Sequence, residues 1–429
     1  MSAELLADLA WKIDYYVNLS VPDGTRKKDA LAWQRWSSFC SGLGTTAWRM
    51  DRDAHSGADP VGFDRETRLL TAFLLHCHEI IKPRSAKDLA AKPDSILNQV
   101  LAVRRIHLRY NVTMIPTSQL TAVLHGITSE FIDENGYEAL LPARKDPLDS
   151  GHVRLFLSTP TGSHLGRAVV DWNEPKFMSL AGLLTVAAST GFRKAECATP
   201  DGKPLDQRRL RRCNLRWRID GHVFADPSPA QLAALVPGRD SAVLVPPPSK
   251  ADRFGQTWGT NPIHLPYAPT DPANAAARLR TIELQFPVRG TQRTTTALFF
   301  TDADLSPMHH SSADSLLGHL LKLHLGDDAK RFSFHSFRIG FACTLLAAGC
   351  DGFTIQALCR WKSPESLKVY ARLNPDDYAG WITKAYGRRA ESTTTRNLPT
   401  IDADSLVAQL QADIQLLEDR AGAPDADDE

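Results

Sequence analysis

Across its 429 residues the chain has no run approaching the roughly 18 consecutive apolar residues that a membrane-crossing helix needs. Its opening, MSAELLADLAWKIDYY, breaks apolar residues with acids where a secretory leader needs an uninterrupted stretch. These absences predict a soluble chain that is neither exported nor membrane-bound. Cys-x-x-Cys is missing as well: an odd set of seven cysteines, at 40, 77, 197, 213, 343, 350 and 359, supports neither a disulfide framework nor a zinc site and suits a reducing, intracellular compartment. His-Glu-x-x-His is absent, and His309, His310, His319 and His324 read as ordinary surface or core residues. No metal and no other cofactor is expected, and no internal repeat is present. The chain also lacks charge of one sign, with a net of +1. That near-balance hides an asymmetry: from Asp402 onward nine acids face the single base Arg420, a net of −8, so residues 1–401 carry +9. A body of that sign fits a polyanionic partner.

What is present suffices for buried cores. The length exceeds the usual single-domain size, and a hydrophobic content of 43% is too high for a disordered chain. Apolar residues at helical spacing predict an all-helical first part: Leu6, Leu9, Ile13 and Tyr16 share one face, and Trp33, Trp36 and Cys40, read as core, share another. Further helices are expected over 64–82, 94–109 and 118–133. Arg104, Arg105 and Arg109 are placed to grip phosphates, although a solvated helix face explains them equally well. Pro142 and Pro147 bracket Arg144 and Lys145, and the helical pattern lapses there, so 1–139 reads as one domain and 140–150 as a linker. Beyond it a helix is expected over about 174–189. Short apolar runs over 214–224 and 241–245 predict a small sheet edging a helical domain over 151–390. A tail over 391–429 follows, with Val407, Leu410, Ile414 and Leu417 on one stripe of a helix over 402–420 and an acidic, disordered end. Arg208-Arg209-Leu-Arg211-Arg212 reads either as an import signal or as a basic strand edge.

The chemistry-bearing residues form a set. Thr190-Gly-Phe-Arg193-Lys-Ala-Glu196 lies upstream; His335-Ser-Phe-Arg338, Arg360-Trp361 and Tyr370 follow in order. Cutting a phosphodiester through a side chain needs an attacking oxygen, proton-handling groups and cations for the phosphorane. Tyr370 sits on a short predicted helix begun by Pro364 and ended by Asn374-Pro375. Its phenol, with an ordinary pKa near 10, must lose a proton to a neighbour or be held as phenoxide by cations. His335 and Arg338, three apart at the start of a helix, share a face. Arg193 adds a second planar fork, which Glu196 braces. Lys250, between two extended runs, is placed at a hairpin tip, although Lys194 and Lys203 compete for the role of acid. Trp361 offers an indole N–H and bulk.

In this order the residues resemble the active site of the tyrosine recombinases, over about 140–390, and the helical first part is similar, more loosely, to their core-binding domain. Gly-His in many members is Arg360-Trp361 here. The run around His335 and Trp361 looks most like recombinases of eukaryotic mobile elements, the DIRS-like group among them. The resemblance implies a mainly α fold with a small antiparallel β-sheet, arranged as a two-domain C-shaped clamp on DNA. It implies Arg193, Lys250, His335, Arg338 and Trp361 around the scissile phosphate and Tyr370 as nucleophile, forming a 3′-phosphotyrosyl ester without metal or ATP. The expected partner is double-stranded DNA at specific sites, bound by a homo-tetramer that is monomeric or dimeric off DNA, with the tail helix docking in trans or folding back in cis. The outcome expected is integration or excision of a mobile element, in the nucleus of a eukaryotic host or otherwise in the cytoplasm. A type IB topoisomerase, a telomere-resolving enzyme and an inactive DNA-binding descendant are the competing readings.

Overall fold

A computed structural model of the chain describes residues 3–56, 58–83, 90–114, 118–141, 144–249, 252–257, 261–361 and 366. Lys250, Tyr370 and the predicted tail helix over 402–420 lie outside the described residues. The chain is mainly helical with small antiparallel sheets and divides into two units, Met1–Arg144 and Lys145–Glu429. No helix among the described residues is long and apolar enough to cross a membrane, and none of the seven cysteines is in a disulfide.

The first unit is built from α1 (Ala3–Leu19), α2 (Asp23–Gly42), α3 (Arg52–Ser56), α4 (Pro60–Ile80), α5 (Pro93–Leu108) and α6 (Ser118–Asn135). Proline opens both α4 and α5, where its missing N–H has no intrahelical partner to lose. Helical spacing puts Trp36, Leu70, Phe73, Leu74, Ile96, Val100, Val103, Leu120 and Ile127 into one core shared by α2, α4, α5 and α6. Trp36 is fully buried and donates its indole N–H to the Ala47 carbonyl at 2.7 Å. Trp33 lies at the edge of that core, 4.4 Å from Trp48 and 5.6 Å from His107 between ring centroids.

The second unit adds α7 (Ser150–Leu157), β1 (His164–Leu165), β2 (Ala168–Val169), α8 (Pro175–Thr190), α9 (Lys194–Cys197), β3 (Leu215–Ile219), β4 (His222–Phe224), α10 (Pro229–Ala233), β5 (Ser241–Leu244), β6 (Ile263–Pro266), α11 (Ala275–Gln285), α12 (His310–Leu325), α13 (His335–Ala347) and α14 (Gly352–Leu358). The larger sheet is antiparallel throughout, in the order β4-β3-β5-β6. Along β3, Leu215, Trp217 and Ile219 point inward while Arg216 and Arg218 point out, the period-two alternation of a half-buried strand. Helix α8 is apolar nearly all round and buried, as its position between α7, α11 and α13 demands.

Residues 145–149 belong to this second unit. The Leu148 amide donates to the Ser336 carbonyl and the Asp146 amide to the Arg331 carbonyl, each at 2.9 Å, and Arg331 pairs with Asp146. Gly340 makes this approach possible: a Cβ there would stand 1.9 Å from the Leu148 carbonyl oxygen. The basic run ending at Arg212 is not one exposed stripe, because Arg212 is fully buried and pairs with Glu283 at 3.1 Å.

Candidate active site

Three segments distant in sequence meet beside α13. The first follows α8, whose last turn ends at Gly191 with φ +59, a left-handed conformation that glycine adopts without strain. The chain then reverses into Arg193, which precedes α9. The buried Glu196 carboxylate reaches back, accepting from the Arg193 amide at 2.8 Å and from its guanidinium at 3.1 Å. The second segment is the start of α13. Arg338, one turn after His335, is buried and donates to the Gly191 carbonyl at 2.8 Å and to the Cys359 carbonyl at 2.6 Å. The third leaves α14 through Arg360, a non-glycine residue at φ +55, and Trp361. The Arg360 guanidinium lies 3.8 Å from the Phe192 ring centroid and donates to Glu196 at 3.5 Å. Trp361 packs with Ala342, Ile355 and Cys359, and its ring lies 5.7 Å from the Arg338 guanidinium.

A cleft of about 620 Å³ opens over this junction, lined by Phe192, Arg193, Lys194, Phe332, His335 and Arg338 among others. Its floor is short of negative charge. Arg193 and Arg360 share the Glu196 carboxylate, Arg338 donates to the Gly191 and Cys359 carbonyls, and Lys194 is engaged by Asp314 on α12. Burial, then the positive charge of Arg193 and Arg360, pulls the Arg338 guanidinium down to about 10. Burial likewise lowers Arg360. The His335 imidazole is exposed at the cleft mouth, yet desolvation by its surroundings and repulsion from Arg338 and Arg193 hold it below its usual pKa. Because the ring meets solvent, the two nearby cations are the steadier of these causes. A neutral imidazole facing two guanidinium groups suits an anion whose oxygens both forks can reach while the imidazole exchanges a proton.

The structure therefore brings Arg193, Glu196, His335, Arg338 and Trp361 together. Lys250 lies outside the described residues, on the connection between the paired strands β5 and β6. The nucleophile assigned to Tyr370 also lies outside them. In the first unit, Arg105 donates to Asp29 at 2.7 Å, Arg109 pairs with the same carboxylate, and Arg104 donates to the Met114 carbonyl. Arg144 is exposed, and Lys145 donates to the Lys330 carbonyl at 2.6 Å. Sequence reasoning assigned no role to Arg360.

Residues 274–377 match the phage integrase family. Among solved structures the chain is similar to the integrase of the transposon Tn1549 in complex with transposon right end DNA, at 14% identity, 83% coverage of this chain and 99% of that one, with a TM-score of 0.40. It is similar to XerA recombinase at 16% identity, 83% and 99% coverage and a TM-score of 0.34. The integrase from mycobacterium phage Brujita gives 14%, 90% and 95%, with a TM-score of 0.26. No curated protein matches the chain.

Proposed function

Because residues 274–377 match the phage integrase family, we propose that the chain is a tyrosine recombinase, a site-specific DNA recombinase working through a 3′-phosphotyrosyl intermediate. The observation that carries this reading is the meeting of Arg193, His335 and Arg338 around one electropositive cleft. In the proposed step the Tyr370 oxygen attacks the scissile phosphorus and its proton passes to His335. The phosphorus–O5′ bond breaks as the new ester forms at the 3′ phosphate, and Lys250 gives the departing O5′ its proton. Arg193 and Arg338 hold the two non-bridging oxygens, whose negative charge grows in the phosphorane. Trp361, packed against Arg338, keeps that guanidinium from swinging away. The ester conserves the energy of the broken linkage, so a 5′-hydroxyl from another strand reverses the reaction and exchanges partners.

The substrate is double-stranded DNA at specific sites, and the product is the integration or excision of a mobile element. Exchange between two duplexes calls for four active sites, hence a homo-tetramer. Arg104, Arg105, Arg109, Arg144 and Lys145 are the proposed phosphate contacts outside the cleft. Of these, Arg105 remains 44% exposed while paired with Asp29, leaving donors for a phosphate.

The test mixes the protein, and separately its Tyr370→Phe variant, with DNA carrying the flanks of its own gene, stops the reaction with SDS and looks for protein on 3′ ends. An adduct with the parent and none with the variant supports the reading. An adduct that survives in Tyr370→Phe removes Tyr370 as nucleophile. Relaxation of supercoils without strand exchange moves the reading to a topoisomerase.

A further inference from the structure

We propose that Arg360 is a positioning residue for strand cleavage: by sharing Glu196 with Arg193 it fixes the direction in which Arg193 presents its guanidinium to the cleft. This rests on the recombinase reading above. The turn at 360 does not itself call for arginine. A non-glycine residue at φ +55 is strained, and glycine would occupy the same conformation without that strain. The backbone task of the turn is to aim the Cys359 carbonyl at Arg338, 2.6 Å away, and it needs no side chain.

The side chain does something separate. It is 6% exposed, and a buried guanidinium is unfavourable unless it finds a carboxylate or an aromatic face. Arg360 finds both, Phe192 below and Glu196 beside it. Glu196 thus divides between two arginines: one oxygen takes the Arg193 guanidinium and the other takes the Arg193 amide and Arg360. Without Arg360, both carboxylate oxygens are available to Arg193. The favoured arrangement would then be the bidentate fork, which turns its donors from the cleft and cancels its charge.

Arg360→Gly separates the two tasks, keeping the left-handed turn and losing the grip; Arg360→Met, which retains packing on Phe192, serves if the glycine variant fails to fold. Two readouts are taken on protein shown to be folded by its thermal transition. On a nicked duplex built on the sequence recovered from the covalent adduct, single-turnover cleavage is expected to slow about 10–100-fold, the scale of a small misplacement of a catalytic group, with the DNA dissociation constant little changed. In the absence of DNA, inorganic phosphate titrated into the cleft and followed by the His335 ring resonances is expected to bind several-fold more weakly. In a Glu196→Gln background, adding Arg360→Gly should change little, because the carboxylate it holds is gone. Parental cleavage and phosphate binding in a folded Arg360→Gly protein would overturn the inference, as would a parent that binds no phosphate. A parent that binds phosphate but forms no adduct with DNA would sink the recombinase reading instead, leaving the phosphate comparison to decide the role of Arg360.

Discussion

Replacing Glu196 by Gln removes the carboxylate that Arg193 and Arg360 share while keeping the shape of the side chain. Glu196 is 4% exposed and Arg360 6%, with 3.5 Å between them. At that distance an effective dielectric near 20 gives an attraction of about 5 kcal/mol, from which desolvation of both groups must be subtracted. Removing one partner leaves the other buried and uncompensated, which typically costs about 3–5 kcal/mol. Arg193, 31% exposed, adds less because solvent screens it. For a unit of this size each kcal/mol moves the midpoint by about 2–4 °C, so Glu196→Gln should lower the thermal transition of the second unit by roughly 10 °C. Near-UV circular dichroism on heating measures it. Phosphate should recover part of the loss, because an anion on the arginines stabilises only the folded chain. Replacing Glu196 and Arg360 together by Leu and Met should approach parental stability, since the uncompensated charge is then gone. A drop under about 2 °C in the single variant, or a double variant as unstable as the single one, would refute the shared ion pair.

Two further predictions concern buried charge elsewhere. Glu283 is fully buried between Arg212 and Arg293, at 3.1 and 2.8 Å, so Glu283→Gln should destabilise the second unit by about 3–5 kcal/mol in urea denaturation, and a change below 1 kcal/mol would contradict the pairing. His107 is buried, with Nδ1 2.9 Å from the Val103 carbonyl and Nε2 accepting from the Arg49 amide at 3.1 Å, and burial holds its imidazole below its usual pKa. The unfolded chain therefore takes up that proton first as pH falls: the stabilisation is complete above about 6.5 and is lost as pH drops through the lower folded value. Ring NMR should find His107 mostly neutral at pH 6, and titration with a midpoint at or above 6.5 would contradict the burial argument.

Much of this site was legible because its residue types sit at short spacings. His335 and Arg338, three apart, fall on one helical face whatever surrounds them, and Glu196 braces Arg193 across three residues. The sheet was legible for a similar reason: Leu215, Trp217 and Ile219 alternate with Arg216 and Arg218. Longer partnerships were not. Arg105 and Arg109 read as a free basic face because Asp29, which engages both, lies 76 and 80 residues earlier. Arg212 read as surface charge because its partner Glu283 is 71 residues on. Arg360 could not be placed, since neither its left-handed backbone nor a contact 164 residues distant leaves a periodic trace. Nothing in residues 140–150 announced that Leu148 would be held by α13.

The long reach of these contacts also orders events during synthesis. Arg338 bonds to Gly191 across 147 positions, and Lys145 bonds to Lys330 across 185. A chain emerging from the ribosome can complete α8 and the sheet early, with Arg193 and Glu196 already in their turn, yet it has no second arginine fork until α13 and α14 follow. The two arginine forks therefore come together only once α13 and α14 have joined the elements around α8.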